Sequence, residues 1–399
     1  TPYAAAGWHG YWAVDFSKVD PHMGTLEDYK ELSHTLHSAG MYLIQDIVAN
    51  HVGNFYTYDG EYDPEDTARG FRLLEPDSIQ PVPEQYPFNL IDRLNPEHAA
   101  ADIYHWTPSV QDFTDPVQEK TYMLGMLADI NTRNPLVLET FKQTYSWWIE
   151  EVGVDAFRID TVMLADFPFW HHFLNDPDGI HARAHALGKT DFLTFGESFS
   201  ISAPFETSGE EKIVSYIGSE SMPGVKSMLA FPLYATLSRV FAEGKPTAEL
   251  KQRVEAFMEA FPDPHRTPTF IDNHDTRRFL GIGSGDGFEQ ALTTLFTLPG
   301  IPVLLQGTEQ GLRKTRQTLF AGGYGTDQDL FDTGSRWYRT IARLARLRRD
   351  NPVFTRGSVS VLAADPTGAG MFAYRRSYGD EQALVLINTA PHSIWVPGI

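Results

Sequence analysis

Four apolar segments of the chain end in acidic, basic or amide side chains of the kinds that perform acid, base or nucleophilic chemistry. Charged groups directly after apolar strands are costly to bury, so their repetition indicates a purpose beyond helix capping. In a parallel barrel the carboxyl ends of the strands converge on one face, and that face holds the active site. We therefore expect these side chains to form one site. In chain order they are Asp46 with Asn50 and His51, Arg158 with Asp160, Glu197, and Asn273 with His274 and Asp275.

Converging carboxylates of this kind suggest cleavage of a glycosidic bond. In the retaining mechanism one carboxylate attacks the sugar carbon, while a second, protonated carboxyl gives its proton to the leaving oxygen. That mechanism predicts carboxyl groups about 5–5.5 Å apart, against roughly 9 Å for the inverting geometry. An aspartic protease would need two Asp residues in matching contexts, which the sequence does not offer. A metal hydrolase would need more His and carboxylate ligands on adjacent strand ends than these segments supply.

Alternating strands and helices must position these groups. Thr25 and Asp28 form a capping-box pattern before a helix that Gly40 ends. Asn134 caps a second helix, which Gly153 ends. Alternation of this kind predicts a parallel sheet with helices packed against it. Six strands are predicted, at 41–48, 155–160, 192–197, 228–231, 267–272 and 301–305.

Two stretches depart from this alternation. Residues 51–128 are rich in Pro, Asp and Tyr and lack clean periodicity. A structureless loop of that length is uncommon, so we expect a small inserted domain there. From about residue 350 short β-like runs such as 359–362 replace the helices, which predicts a C-terminal β-domain at 350–399. The remaining residues, 1–50 and 129–349, are assigned to the barrel.

The composition excludes several classes of protein. The 399 residues include no Cys, which excludes a disulfide scaffold, a cysteine nucleophile and a thiolate zinc site. The formal net charge of −20 argues against a nucleic-acid partner and against an anionic membrane surface. No uninterrupted run of about 18 apolar residues is present, so no transmembrane helix is predicted. Aromatic residues make up 13%, which suits a protein that stacks flat faces against its ligand.

Taken in order, the polar segments resemble those of the α-amylase family of retaining α-glucoside hydrolases and transglycosylases. Each motif is short, and it is their common order and spacing, from Gly10 to about Gly311, that carries the resemblance. The matching motifs lie at 10–12, 46–51, 127–131, 153–160, 195–197, 273–275, 300–302 and 307–309.

The resemblance implies an α/β protein, a TIM (β/α)8 barrel with a small domain inserted after its third strand and a β-sandwich domain at its C-terminal end. Such a barrel has eight strands, and the sequence offers six. Thr1-Pro2 resembles the end of a second strand, so we expect the first two strands to lie upstream of this numbering. We likewise expect the C-terminal domain to be incomplete. The compartment stays open, with a secreted or periplasmic location favoured over a cytoplasmic one.

The same resemblance implies a role for each polar residue. Asp160 would be the nucleophile, Glu197 the general acid/base, and Asp275 the group that stabilises the transition state through the sugar 2- and 3-hydroxyls. Arg158 would hold Asp160 ionised, since a nearby guanidinium favours the charged form. The other implied substrate-binding residues are His51 and His274 on the sugar, Tyr11 stacked on its ring, Trp12 next to it in the motif, and Asp46 in support.

The resemblance also implies a structural calcium ion between the barrel and the inserted domain, as in many relatives. Asn50 and Asp129 match its side-chain ligands, and a backbone carbonyl near Leu164 would be a further ligand. Calcium prefers oxygen ligands of this sort. Some relatives lack the ion.

One departure from the family pattern lies directly after the nucleophile. Many starch-cleaving relatives carry Lys-His where this chain has Met163 and Leu164, whose side chains cannot donate hydrogen bonds to the leaving-group sugars. The leading hypothesis is an endo-acting α-1,4-glucan hydrolase. A transglycosylase, a cyclodextrinase and an exo-acting α-glucosidase use the same chemistry and stay open. A non-catalytic glucan-binding or transporter-associated barrel is disfavoured, because all three catalytic carboxylates are present.

Overall fold

A computed structural model of the chain describes residues 9–75 and 82–395. The chain divides into two compact units, and each is described by itself. The first contains the described residues up to Ser198 together with Tyr216–Met228. The second contains Phe199–Ser215 and the described residues from Leu229 onward. Thr1-Pro2, which the sequence likens to a strand end, lies outside the described residues.

The first unit combines a parallel sheet with helices and with short antiparallel strand pairs. Its strands are β1 (Ile44–Ile47), β2 (His51–Gly53), β3 (Tyr56–Tyr58), β4 (Phe71–Leu73), β5 (Leu127–Asp129), β6 (Ala156–Ile159), β7 (Leu193–Gly196) and β8 (Ser227–Met228). Its helices are α1 (Leu26–Ser38), α2 (Pro96–Ala101), α3 (Pro116–Thr121), α4 (Pro135–Val152), α5 (Phe167–Asn175) and α6 (Ile180–Ala186), with a 3-10 turn at Val162–Leu164.

The parallel sheet of this unit has the order β1-β6-β7-β8. Adjacent strands of this sheet are parallel. The register pairs Asp46 with Arg158, and Arg158 with Phe195. β6 is buried along its whole length, as a strand covered on both faces requires. Helical crossovers in the sequence separate the strands, which is the connection that parallel pairing needs.

Local sequence sets the ends of the helices as predicted. Thr25 caps α1, and the full capping box with Asp28 forms, because each residue's side chain accepts a hydrogen bond from the other's backbone N–H. Asn134 accepts from the backbone at the start of α4, and Gly153 ends that helix in the left-handed conformation. α4 buries Phe141, Tyr145 and Trp148 on one face.

The stretch at 51–128 leaves the sheet and returns to it through one antiparallel pair. β2 pairs with β5 so that His51 lies opposite Asp129. Within the excursion, β3 pairs with β4 and the aromatic side chains of Phe55, Tyr56 and Trp106 pack together. The excursion therefore begins and ends beside the carboxyl end of β1.

The second unit is helical with one parallel and one antiparallel sheet. Its helices are α7 (Ser208–Val214), α8 (Phe231–Phe241), α9 (Thr247–Ala260), α10 (Phe279–Ile282), α11 (Gly285–Thr297), α12 (Arg336–Asp350) and α13 (Pro352–Arg356), with 3-10 turns at Pro264–Arg266 and Thr308–Gln310. The strands β9 (Pro268–Thr269) and β10 (Ile301–Pro302) pair in parallel. The strands β11 (Ser358–Ala364), β12 (Met371–Tyr378) and β13 (Glu381–Asn388) form an antiparallel sheet.

All six predicted strands are present and parallel-paired, but they are shorter than predicted. The predicted strand at 228–231 is wrong at its end, because Phe231 begins α8 and Pro232 suits the first turn of a helix. The C-terminal region forms the expected β-structure, as a single three-stranded sheet in the part of it that is described. The two upstream strands, the second sheet of the β-sandwich and the domain bounds stay predictions. Among the described residues, no helix has the length and apolar character to cross a bilayer.

Candidate active site

The strand ladder of the first unit positions two carboxylates just beyond the ends of adjacent strands. The backbone N–H of Asp160 donates to the carbonyl of Ile47 at 2.9 Å, and that of Glu197 donates to the carbonyl of Ile159 at 2.8 Å. Each residue thus continues the hydrogen bonding of β6 or β7 by one step. The side chains of Asp160 and Glu197 are buried.

The Arg158 guanidinium joins three carboxylates. Its Nη1 lies 2.8 Å from Asp46 Oδ1 and 2.6 Å from Asp160 Oδ1, and its Nη2 lies 2.8 Å from Glu197 Oε2. These are lengths of charge-assisted hydrogen bonds, which are the stronger kind. Because Asp46, Arg158 and Glu197 come from three adjacent strands, one buried cation ties the carboxyl ends of those strands together.

Burial and neighbouring charges shift the pKa values of Asp160 and Arg158 in opposite directions. Burial raises the pKa of the Asp160 carboxyl above its ordinary value, with Asp46 adding to the rise, although Arg158 and a hydrogen bond with Glu197 act in the opposite direction. Burial lowers the pKa of Arg158, but the carboxylates of Asp46, Glu197 and Asp160 outweigh it and raise that pKa overall. Burial thus favours the protonated form of Asp160, whereas the guanidinium of Arg158 favours its anion.

Tyr11 and Trp12 differ in their contacts. The Tyr11 hydroxyl donates to Asp46 Oδ2 at 2.8 Å, and the Arg158 guanidinium carbon lies 5.9 Å from the Tyr11 ring centre. Burial raises the pKa of Tyr11, and the charge of Asp46 adds to the rise. A Cβ atom built at Gly53 would lie 3.2 Å from the Cβ of Trp12, and the Trp12 ring meets the His9 ring edge to face. Tyr11 therefore belongs to the carboxylate cluster by direct contact, and Trp12 lies one residue beyond it.

His51 and Thr161 surround Asn50. The Asn50 Oδ1 atom accepts from the Thr161 hydroxyl at 3.0 Å and lies 3.1 Å from His51 Nδ1. Burial lowers the pKa of His51 to about 3, so its ring is neutral near pH 7. Thr161 has φ +43°, an uncommon conformation for a β-branched residue, directly after Asp160. Nothing in the sequence marks Thr161, because a Thr residue carries no signal that its backbone is strained.

The second unit holds the other two predicted site residues. His274 Nε2 lies 3.1 Å from Asp275 Oδ2, and Arg316 Nη2 donates to Asp275 Oδ1 at 2.5 Å. Arg316 itself has φ +60°, and the Asn273 side chain accepts from the backbone N–H of Asp275 at 2.9 Å. Sequence reasoning missed Arg316, which follows Asp275 by 41 residues and lies outside every strand-end segment.

The predicted calcium ligands already have partners in the protein. Asn50 Oδ1 accepts from Thr161 and lies beside His51, and Asp129 Oδ2 forms a short contact with His105 Nδ1. The carbonyls of Met163 and Ala165, on either side of Leu164, both accept from the Lys120 ammonium. The ammonium of Lys120 therefore lies at the carbonyls next to Leu164, and the side-chain oxygens of Asn50 and Asp129 have protein partners.

Comparison with known proteins gives these geometries a context. A family model described as the alpha-amylase catalytic domain matches residues 2–336. An α-amylase of Streptomyces lividans is 28% identical over 94% of this chain and 45% of its own length. A cyclomaltodextrin glucanotransferase of Klebsiella oxytoca is 26% identical over 96% of this chain and 58% of its own length. The chain thus spans about half the length of these relatives.

Solved structures resemble the chain over nearly all of its length. The α-amylase of Geobacillus thermoleovorans, solved with acarbose, is 26% identical with a TM-score of 0.72, covering 97% of this chain and 75% of its own. A cyclomaltodextrin glucanotransferase with a three-domain arrangement is 25% identical with a TM-score of 0.73, covering 95% of this chain and 70% of its own. Hydrolases and transferases therefore both appear among the similar proteins.

Proposed function

The chain belongs to the α-amylase family, with a TIM-barrel catalytic domain and a C-terminal domain, and we propose that it cleaves α-1,4-glucosidic bonds with retention of configuration. The substrates would be starch-like glucans or maltooligosaccharides. The observation that carries the proposal is the Arg158 guanidinium with Asp46, Asp160 and Glu197 bound to it. Two buried carboxyls held by one guanidinium can supply the anion and the acid that the retaining mechanism needs.

In the first step, Asp160 is the anion and Glu197 carries the proton. A carboxylate oxygen of Asp160 forms a bond to the anomeric carbon, and the bond from that carbon to the glycosidic oxygen breaks. Glu197 transfers its proton to the departing oxygen, so the leaving sugar exits as a neutral alcohol. The product of this step is a glycosyl ester on Asp160.

In the second step, Glu197 acts as a base. It takes a proton from water while the water oxygen attacks the same carbon and displaces the Asp160 carboxylate. Two inversions leave the configuration unchanged. If a sugar hydroxyl takes the place of water, the same step transfers the glycosyl group.

The neighbouring residues are assigned supporting roles. Arg158 offsets the negative charge on Asp160, and Asp46 with Tyr11 orients the guanidinium through the contacts described above. By their places in the family motifs, Asp275 is assigned to the transition state and His51 and His274 to the sugar hydroxyls. The neutral ring of His51 can donate or accept a hydrogen bond without adding charge to the cluster. Trp12 is assigned to substrate contact on its motif alone.

Transglycosylation is the second candidate. It is favoured by the similarity to cyclomaltodextrin glucanotransferases, which match the chain nearly as well as the α-amylase does. Met163 and Leu164, which stand where hydrogen-bonding side chains meet the leaving-group sugars in many relatives, leave the preferred acceptor open. Cyclodextrinase and exo-acting α-glucosidase activities use the same two carboxyls.

Replacement of the two carboxyls tests the assignment. We expect Asp160→Asn and Glu197→Gln each to lower kcat on maltooligosaccharides by at least about 10³-fold without loss of folded structure, because each removes one reacting group. The matched controls Asp350→Asn and Glu255→Gln change exposed carboxylates and should keep wild-type turnover. Circular dichroism checks the fold of every variant.

Product analysis tests the stereochemistry and separates the candidates. NMR of the first products should give the α-anomer, since two inversions retain configuration. Early long oligosaccharides from starch would indicate endo-acting hydrolysis, and cyclic or lengthened products would indicate transfer. Near-normal turnover by either carboxyl variant, or initial release of the β-anomer, would contradict the proposed roles. A wild-type protein without activity on any α-glucoside would favour the non-catalytic alternative.

A further inference from the structure

The Lys120 ammonium lies among oxygen atoms of the turn that follows Asp160. Its Nζ donates to the carbonyl of Met163, to the carbonyl of Ala165 at 3.4 Å and to the hydroxyl of Tyr216 at 2.5 Å. The Tyr216 hydroxyl in turn donates to the Met163 carbonyl at 3.2 Å, and its ring centre lies 5.0 Å from Nζ. Only 17% of the Lys120 side chain is exposed. The largely buried ammonium thus has carbonyl, hydroxyl and aromatic partners, together with the carboxylate of Glu119 at 3.8 Å.

The turn that Lys120 contacts directly follows the proposed nucleophile and the residue after it. Thr161 is strained at φ +43° directly after Asp160, and the 3-10 turn Val162–Leu164 follows it. Strained backbone persists only where surrounding contacts hold it in place. Lys120 lies on α3 in the excursion at 51–128, so its contacts join that excursion to the turn.

The resemblance to the family would assign this task to calcium, with Asn50, Asp129 and a carbonyl near Leu164 as ligands. In this chain an ammonium already binds the carbonyls on both sides of Leu164. Asn50 and Asp129 bind Thr161 and His105. A divalent cation among the same oxygens would be repelled by the ammonium and would have to displace these partners.

We propose that the Lys120 ammonium, and not a calcium ion, is the cation that holds the turn after Asp160. Lys120 is then a positioning residue, because it acts on Asp160 through the main chain of residues 161–165. The expected effect of Lys120 on kcat rests on the proposed glycosidase function. The expected effect on stability, a fold that does not depend on calcium, is independent of that function.

Thermal unfolding tests the structural part without any substrate. The purified wild-type protein is dialysed against EDTA, and its Tm is compared with and without millimolar calcium chloride. We expect the two Tm values to agree within about 1 °C, because a ligand that does not bind the native state cannot stabilise it. A Tm that falls by several degrees in EDTA and is restored by calcium would overturn the proposal.

Substitution of Lys120 tests the positioning role. We expect Lys120→Met to lower Tm by roughly 3 °C or more, since it leaves buried carbonyls without their donor. Well below that Tm, kcat should fall about tenfold with KM nearly unchanged, and Lys120→Arg should recover part of kcat. The matched control Lys251→Met removes an exposed ammonium paired with Glu255 and should change neither quantity.

Two outcomes of the substitutions would count against Lys120. If Lys120→Met matches Lys251→Met in both Tm and kcat, the ammonium does not hold the turn. If added calcium raises the Tm of the wild type as much as that of Lys120→Met, then calcium binds in the presence of the ammonium, and the ammonium does not replace it at this turn. Should Lys120→Met fail to fold, Lys120→Arg and the EDTA comparison on the wild type still decide. Wild-type inactivity would remove the glycosidase proposal and leave the Tm comparison intact.

Discussion

The candidate site is built on one residue, Arg158, more than on any single carboxylate. A guanidinium presents several N–H donors in a rigid fork, so it can bind carboxylates on more than one side. Asp160 and Glu197 bind different nitrogens of this fork, at 2.6 and 2.8 Å. A Lys at this position would offer a single nitrogen and could not hold both groups in the same geometry. The strand-end pattern predicted that Arg158 would meet Asp46, Asp160 and Glu197, as it does, and the resemblance supplied the roles of these residues.

Arg316 offers a test at the scale of one contact. It donates to Asp275 Oδ1 at 2.5 Å from a left-handed backbone position. If Asp275 takes part in the reaction, we expect Arg316→Gln to lower kcat/KM roughly fivefold, because a partly exposed ion pair contributes about 1 kcal/mol. Steady-state kinetics on maltooligosaccharides provides the measurement.

The control for this prediction is Arg343→Gln, which removes an exposed guanidinium paired with Glu289 at 3.3 Å. Arg343→Gln should keep wild-type kinetics, and Arg316→Lys should lie between Arg316→Gln and the wild type. Equal kcat/KM for Arg316→Gln and Arg343→Gln would show that the contact with Asp275 has no bearing on the reaction.

At the scale of elements, local signals in the sequence were sufficient for helix ends and strand existence. The capping box at Thr25 and the Asn134 cap each depend on residues within four positions, so the sequence alone predicts them. Strand lengths were overestimated because apolar runs continue past the strand end, as at Phe231, which begins α8. The contacts of Lys120 with Met163 and of Arg316 with Asp275 span about 40 residues. No local pattern encodes such contacts, and the sequence analysis missed both.

Gly196 illustrates how an element end is fitted to the site. A Cβ atom at this position would lie 2.4 Å from Val162 Cγ2 and 2.7 Å from Met228 Sδ. We expect Gly196→Ala to lower Tm by roughly 3 °C and to lower kcat, because the added methyl must displace the turn after Asp160 or shift Glu197. Differential scanning calorimetry and kinetics on the same preparation measure the two effects.

Gly368→Ala provides the matched control for Gly196→Ala. No atom lies within 4 Å of a Cβ built at Gly368, so the same chemical change meets open space there. Gly368→Ala should leave Tm and kcat at wild-type values. An unchanged Tm for Gly196→Ala would mean that β7 and the turn at Val162–Leu164 can separate at little cost.

On the scale of the whole molecule, the net charge of −20 does not show how stability depends on pH, because that dependence comes from buried ionisable groups. Buried ionisable groups are tolerated where they are paired, as Arg253 and Glu210 are in the second unit. Buried histidines are tolerated where they stay neutral, and this neutrality makes global unfolding depend on pH. Composition gives the net charge, but only the folded chain identifies which of the 14 histidines are buried.

His181 is the clearest case for this pH dependence. Its Nδ1 lies 2.9 Å from Asn175 Oδ1 and its Nε2 lies 3.0 Å from Thr194 Oγ1, and Thr194 Oγ1 also accepts from the backbone N–H of Lys226. A neutral ring satisfies this arrangement, with Nδ1 donating to Asn175 and Nε2 accepting from Thr194. Burial, with help from the charge of Lys226, lowers the pKa of His181 to about 3.

The sign of the effect follows from this depressed pKa. Below pH 6.5, the ordinary value for His, the unfolded chain binds a proton that the native state refuses until about pH 3. Native stability is therefore lost as pH falls through this window, by about 1.4 kcal/mol per pH unit for this group. We expect the stability advantage of the wild type over His181→Gln, measured by urea unfolding, to be largest near pH 7 and to shrink steadily toward about pH 4.

The control is His22→Gln, which changes an exposed ring. Its free energy of unfolding, plotted against pH, should run parallel to that of the wild type. A constant gap between the wild type and His181→Gln over this range would mean that His181 takes up its proton in the folded protein.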